Sequence, residues 1–143
     1  MCFLRDKPGE NKYIILSKEG TLQEDVFGAI IYGVGMLPLA EGMQNAIPES
    51  LQPWFADESS SGVIAIHNAA CLNYLLEHGP RYGYFPSPSK SWYICKEIDE
   101  PAAIDAFEQF NLPIKMNRGH AYLGGFIGNA ARKDEWLNEK ITT

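Results

Sequence analysis

The stretch that most constrains the fold is WFADESSSG, residues 54–62. Its apolar start, Trp54 to Ala56, predicts a brief strand, and the adjacent carboxylates of Asp57 and Glu58 predict a tight turn at the end of that strand. Acidic side chains at the mouth of an apolar strand either bind a ligand or reach solvent. The pair suits Mg²⁺, a hard cation that takes oxygen ligands. Taken alone, an Asp-Glu pair is more often a solvated turn than a metal site, and both interpretations stay open at this point.

Outward from this turn, the sequence predicts a strand, a helix, a hairpin, a helix, a strand, a helix and a second hairpin. Proline at position 38 should kink or end the first helix near Leu37. The predicted ranges are a strand at 13–16, an apolar helix from 26, the strand at 54–56, a helix after 62 that stops at 78–80, a strand at 91–96, a helix that opens at 99–101 and ends near 111, a hairpin of 114–117 with 121–127, and a polar helix at 130–140. Mixed antiparallel strands with helices on one face predict a single α+β domain over residues 1–143.

Composition excludes several classes of protein. The chain has 143 residues, of which 45% are hydrophobic and 21% charged, as in ordinary globular domains. Its net charge is −6, and residues 1–60 hold four basic and nine acidic side chains, so no bulk basic field attracts nucleic acid. The most apolar stretch, residues 26–40, is shorter than the roughly 18 residues of a bilayer span. Three cysteines without a Cys-x-x-Cys pair predict no disulfide framework. We therefore expect a soluble, intracellular protein with no membrane partner.

Four short motifs, taken in order, resemble those of reverse transcriptases. SKEGTLQ at 17–23 is similar to the Ser-x-Glu-Gly-Thr-x-Gln motif that precedes the apolar palm helix, and FADE at 55–58 is similar to the aromatic-x-Asp-Asp catalytic turn. GPRYGYFPSPSKSW at 79–92 is similar to the next polymerase motif, in which a lysine precedes a strand, and HAYLG at 120–124 to the primer-grip hairpin. The ordered set resembles the RNA-directed DNA polymerase domain of retrotransposon-like elements.

The resemblance implies a polymerase palm, which binds a primer–template and a dNTP and catalyses templated nucleotidyl transfer. Two side chains, Asp57 and Glu58, would be catalytic and would bind Mg²⁺. A third catalytic residue, Lys90, would lie near the triphosphate, where a lysine can donate a proton to the leaving pyrophosphate. The remaining roles are template and nucleotide contact by Gly20 and Gln23, and primer binding by Leu123 and Gly124. Without the resemblance, Lys90 is equally well interpreted as a solvated lysine beside a strand.

The sequence also departs from the family pattern. The family's other metal-binding aspartate lies on a strand upstream of the first motif, where this chain has Asp6 alone and no strand pattern around it. Glu24 and Val26 stand where the family has glycine and proline, and Glu58 replaces the second turn aspartate. We therefore expect a partial palm that lacks the fingers and the first catalytic strand, with the start of a thumb at about 130–143.

Such a fragment should be inactive alone and prone to self-association through an exposed sheet edge. Two alternatives remain open at the level of sequence. The chain could act after assembly with a separate chain that supplies the missing aspartate and fingers. It could instead be a small non-catalytic binding or structural module, or a retroelement relic, that keeps the palm scaffold.

Overall fold

A computed structural model describes residues 2–3, 14–15, 26–55 and 58–142. The chain divides into two compact units, Met1–Leu37 and Pro38–Thr143. In the first unit, strand β1 (Cys2–Phe3) pairs antiparallel with strand β2 (Ile14–Ile15), inside the range predicted for the first strand. Helices and short strand pairs together make the protein α+β, as the sequence predicts.

Helix α1 (Gly28–Ala46) begins in the first unit and ends in the second. The sequence predicts that Pro38 kinks or ends this helix near Leu37; the helix does not end there, because it continues through Pro38 for more than two turns. A proline inside a helix removes one backbone hydrogen bond. Burial of Leu39 and Met43, each 1% exposed, offsets that loss through packing that no local signal reveals.

The core of the second unit lies where two helices meet. Helix α2 (Ala65–His78) packs against helix α3 (Glu100–Glu108), and the buried cluster consists of Ala69, Phe107 and Leu112. Helix α2 ends at His78, as predicted, and a 3₁₀ turn at Gly79–Tyr82 follows it. Pro101 in the first turn of α3 fits the missing N–H of proline, so the predicted start of this helix is confirmed.

Strand β5 (Trp92–Ile94) pairs in parallel with strand β6 (Lys115–Asn117), and α3 forms the crossover between them. The 3₁₀ turns Pro88–Lys90 and Glu97–Asp99 flank β5. The sequence predicts residues 114–117 as one arm of an antiparallel hairpin around Arg118, and that prediction is wrong. Met116 and Tyr93 pack against the α2–α3 core, and this burial sets the parallel pairing of β6.

The remaining strands form two hairpins. Strand β3 (Trp54–Phe55) pairs with β4 (Glu58–Ser59), and β7 (Gly119–Tyr122) pairs with β8 (Gly125–Gly128), both antiparallel. Helix α4 (Ala130–Thr142) follows, largely exposed, as expected of the predicted polar helix. Instead of the one antiparallel sheet predicted, the described strands form four separate two-stranded sheets.

Candidate functional site

The first candidate site is the β3–β4 hairpin, which carries the FADE motif. Its register pairs Trp54 with Ser59 and Phe55 with Glu58, which confirms the predicted hairpin, although Glu58, predicted in the turn, is the first residue of β4. Ala56 and the predicted metal ligand Asp57 lie outside the described residues, and for Glu58 the structure describes the backbone pairing alone. Gly20 and Gln23, the predicted template and nucleotide contacts, also lie outside the described residues.

Two tyrosines anchor this hairpin to the rest of the second unit. The Tyr84 hydroxyl lies 2.6 Å from Ser59 Oγ, and the Tyr84 ring meets Trp54 edge-on with centroids 5.6 Å apart. The Tyr122 hydroxyl lies 2.6 Å from Ser60 Oγ, one residue beyond β4. Tyr84 belongs to the third motif and Tyr122 to the fourth, so both motifs contact the hairpin that carries the second. Sequence reasoning did not assign either tyrosine a role, although each lies inside a motif that it singled out.

Leu123 and Gly124 form the two-residue turn between β7 and β8. Their φ angles are 46° and 78°, both in the left-handed region, as a type I′ hairpin turn requires. Leu123 is 52% exposed, so its side chain is presented to solvent at the tip of the hairpin. The predicted primer-binding pair therefore occupies a hairpin tip. The turn lies downstream of the position that the sequence predicts, because leucine is an unusual residue at positive φ and gives no turn signal.

Lys90 ends the 3₁₀ turn Pro88–Lys90 and is exposed, two residues before β5 begins. Ser91 Oγ donates a hydrogen bond of 2.9 Å to the Ser87 carbonyl, and the Ser91 backbone N–H bonds to the same segment. These bonds fix the backbone around Lys90 while its ammonium group stays in solvent. Lys90 precedes a strand, as the third motif predicts, but the strand is shorter than the predicted 91–96, and the role of Lys90 at a triphosphate stays a prediction.

A cleft of the second unit, with a volume of about 860 Å³, lies elsewhere. Its walls include Val63 and Ile64 before α2, Cys95 after β5, and Arg118 after β6. None of the predicted site residues is among the described residues that line it. Arg118 Nη2 lies 2.9 Å from Glu97 Oε1, so a carboxylate of the protein itself already pairs with this cation in the cleft.

Two groups near this cleft have perturbed acidity. Burial, followed by the charges of Glu100 and Asp99, raises the pKa of the Cys95 thiol above its ordinary value. Burial likewise raises the pKa of the Tyr93 phenol. Both shifts favour the neutral side chains, and a neutral thiol is a weaker nucleophile than a thiolate.

The part of the chain that the structure describes contains neither a metal-binding cluster nor a membrane-spanning helix. Within residues 26–55 and 58–142, no group of three or more His, Cys, Asp or Glu side chains could hold a metal ion. In those same ranges, no helix is long and apolar enough to cross a membrane. Neither finding bears on Asp57, which lies between the described ranges.

Comparisons with known proteins give no further assignment. No protein-family model, no curated protein and no solved structure matches this chain.

Proposed function

We propose that this chain is part of the palm of a reverse transcriptase of the kind found in retrotransposon-like elements. In the complete polymerase its reaction would be templated nucleotidyl transfer. The observation that carries the proposal is the hydrogen bond of 2.6 Å between Ser60 and Tyr122. It joins the hairpin with the catalytic-turn motif to the hairpin with the primer-grip motif, although the two residues are 62 positions apart. A polymerase palm needs these two elements side by side, because the primer end must reach the catalytic carboxylates.

In this reaction the 3′ hydroxyl of the primer attacks the α-phosphorus of a dNTP, and pyrophosphate leaves. Asp57 and Glu58 would hold Mg²⁺, which suits their oxygen donors. Mg²⁺, when bound, would activate the attacking oxygen and stabilise the leaving one. Lys90 would give its proton to the pyrophosphate, and its solvated position leaves the ammonium group free to reach a triphosphate. The tip at Leu123 and Gly124 would bind the primer end.

A two-metal reaction needs carboxylates besides Asp57 and Glu58. Asp57 and Glu58 are adjacent in the sequence, and in the polymerase family a further metal-binding aspartate comes from a strand upstream of the first motif. Upstream of the first motif the sequence given holds one aspartate, Asp6. We therefore expect the purified 143-residue chain to incorporate no nucleotide on a primed RNA or DNA template with Mg²⁺ or Mn²⁺.

The test is primer extension with this chain and with a version extended at its N-terminus by the coding sequence upstream in the genome. We expect incorporation from the extended version, its loss in Asp57→Asn, and its retention in the matched control Asp105→Asn, which alters an exposed carboxylate of α3. Incorporation by the 143-residue chain that Asp57→Asn abolishes would contradict the need for a further carboxylate. An extended version with no activity, or with activity insensitive to Asp57→Asn, would contradict the polymerase proposal and favour a non-catalytic module.

A further inference from the structure

The parallel pair β5–β6 has one face in the core and one face in solvent. The register places Trp92 beside Lys115 and Tyr93 beside Met116. Because side chains alternate along a strand, Tyr93 and Met116 point to one face and Trp92 and Lys115 to the other. Tyr93 and Met116 pack against the buried cluster of α2 and α3, so Trp92 and Lys115 lie on the outer face.

Three side chains are gathered on this outer face, which we call the Trp92 face: Trp92, Lys115 and His120. The His120 ring stacks on the Trp92 ring with centroids 4.6 Å apart and planes inclined by 22°. Lys115 Nζ lies 5.3 Å from the centroid of the same indole, within range of a cation–π contact. Trp92 remains 39% exposed despite these two neighbours.

Within the described part of the chain, the lysine of the Trp92 face has no carboxylate partner. Among the described residues, no carboxylate lies within ion-pair distance of Lys115, or of Lys90, which is two residues from Trp92. The nearby arginines differ, since Arg118 pairs with Glu97 at 2.9 Å and Arg132 with Glu135 at 2.8 Å. Among the described residues, Lys115 is thus a cation without a carboxylate partner beside an exposed aromatic ring, in a chain of net charge −6.

We propose that the Trp92 face binds single-stranded nucleic acid, with Lys115 on a phosphate and the indole of Trp92 against a base. The charge of the face complements a phosphodiester strand, and an aromatic ring among cations is the usual platform for unpaired bases. Lys115 is a flexible side chain that can leave the indole for a phosphate, and this movement opens ring surface to the base. The inference rests on the proposed polymerase function and deepens it. It adds a contact with a nucleic-acid strand to the roles that the resemblance assigns to residues of the four motifs.

The test measures binding of the 143-residue chain to a short labelled oligo(dT). Fluorescence anisotropy reports the binding in EDTA at several salt concentrations. We expect weak binding at physiological salt, with a shallow salt slope. Lys115→Ala should reduce the magnitude of that slope by about 0.7, the contribution of one phosphate contact on a single strand. Trp92→Ala should lower affinity about 5- to 100-fold, and Trp92→Tyr, which keeps an aromatic ring, should retain most of it.

Lys140→Ala is the matched control, an exposed lysine of α4 whose loss should leave binding unchanged. Equal weakening of binding by Lys115→Ala and Lys140→Ala would overturn the inference. It would also be overturned if binding depended on Lys115 but not on Trp92, and if heparin competed as well as unlabelled oligo(dT). Because the assay excludes metal and does not involve Asp57, it is independent of primer extension. If primer extension fails while oligo(dT) binding still depends on Trp92, the polymerase proposal alone is refuted. If primer extension succeeds while oligo(dT) binding does not depend on Trp92, the inference about the Trp92 face alone is refuted.

Discussion

Leu123 has a backbone conformation that leucine rarely adopts. Its φ of 46° lies in the left-handed region, which costs a non-glycine residue about 1–3 kcal/mol, although asparagine tolerates it well. We expect Leu123→Asn to raise the free energy of unfolding by about 1 kcal/mol, because the half-exposed leucine gives up little burial. The measurement is urea unfolding followed by circular dichroism. Leu137→Asn, a similar substitution at a helical position of α4, should bring no such gain.

Strain that persists in a fold is often found at functional sites. If Leu123 is retained for primer binding, the stabilised Leu123→Asn variant should extend primers more slowly in the N-terminally extended version. A variant that is both more stable and equally active would leave Leu123 with no role at the primer end. A variant less stable than the parent would show that the leucine side chain contributes packing that outweighs its backbone strain.

At the scale of one helix, α1 contains glycines in two different environments. A Cβ added at Gly35 would meet nothing within 4 Å, whereas a Cβ at Gly42 would meet the Tyr74 hydroxyl. Alanine in an exposed helix interior is about 1 kcal/mol more favourable than glycine. We therefore expect Gly35→Ala to raise the free energy of unfolding by about that amount. Gly42→Ala should gain less, because the Tyr74 ring, which packs on His78 with centroids 4.2 Å apart, must move.

Chemical denaturation of the two variants in parallel gives the comparison, and equal gains would show that Tyr74 adjusts freely. A fall in stability for Gly35→Ala would mean that the helix face around this residue is covered by a neighbour. Equal gains would revise the packing of α1 at Gly42, and a loss for Gly35→Ala would revise its open surface at Gly35.

Elements with strong local signals were predictable from the sequence, and elements set by burial were not. The start of α3 at Pro101, the end of α2 at His78 and the β3–β4 hairpin follow from residues within a few positions of each boundary. The continuation of α1 through Pro38 and the parallel pairing of β6 depend on contacts with distant residues. Likewise, the role of Tyr84 and Tyr122 as anchors of the β3–β4 hairpin follows only from their hydroxyl contacts with Ser59 and Ser60 in the folded protein.

At the scale of the whole molecule, the turn before α1 and the first turns of α1 present exposed apolar side chains. Val26, Ile30 and Val34 are spaced four residues apart and are 86%, 63% and 67% exposed. Large exposed apolar surface promotes association. We expect the chain to self-associate as its concentration rises, and Ile30→Glu with Val34→Glu should shift it toward the monomer. Size-exclusion chromatography with light scattering measures both effects.

Ile98→Glu is the matched control, because Ile98 is an isolated exposed residue of the second unit at 84% exposure. It should leave the self-association unchanged. A single monomeric peak at every concentration, together with a cooperative thermal transition, would contradict the prediction. That result would favour an independently folded binding module over a polymerase fragment.

The hydrogen bond between Ser60 and Tyr122 has a consequence for the order of folding. The strand pairs of the two hairpins close over a few residues, whereas this bond closes over 62. Because the entropic cost of loop closure grows with loop length, local pairings form before distant ones. We expect each hairpin to fold first and the two to dock afterwards. A docking contact that forms last can also open without unfolding either hairpin, so the β3–β4 and β7–β8 hairpins could separate and rejoin within an otherwise folded protein.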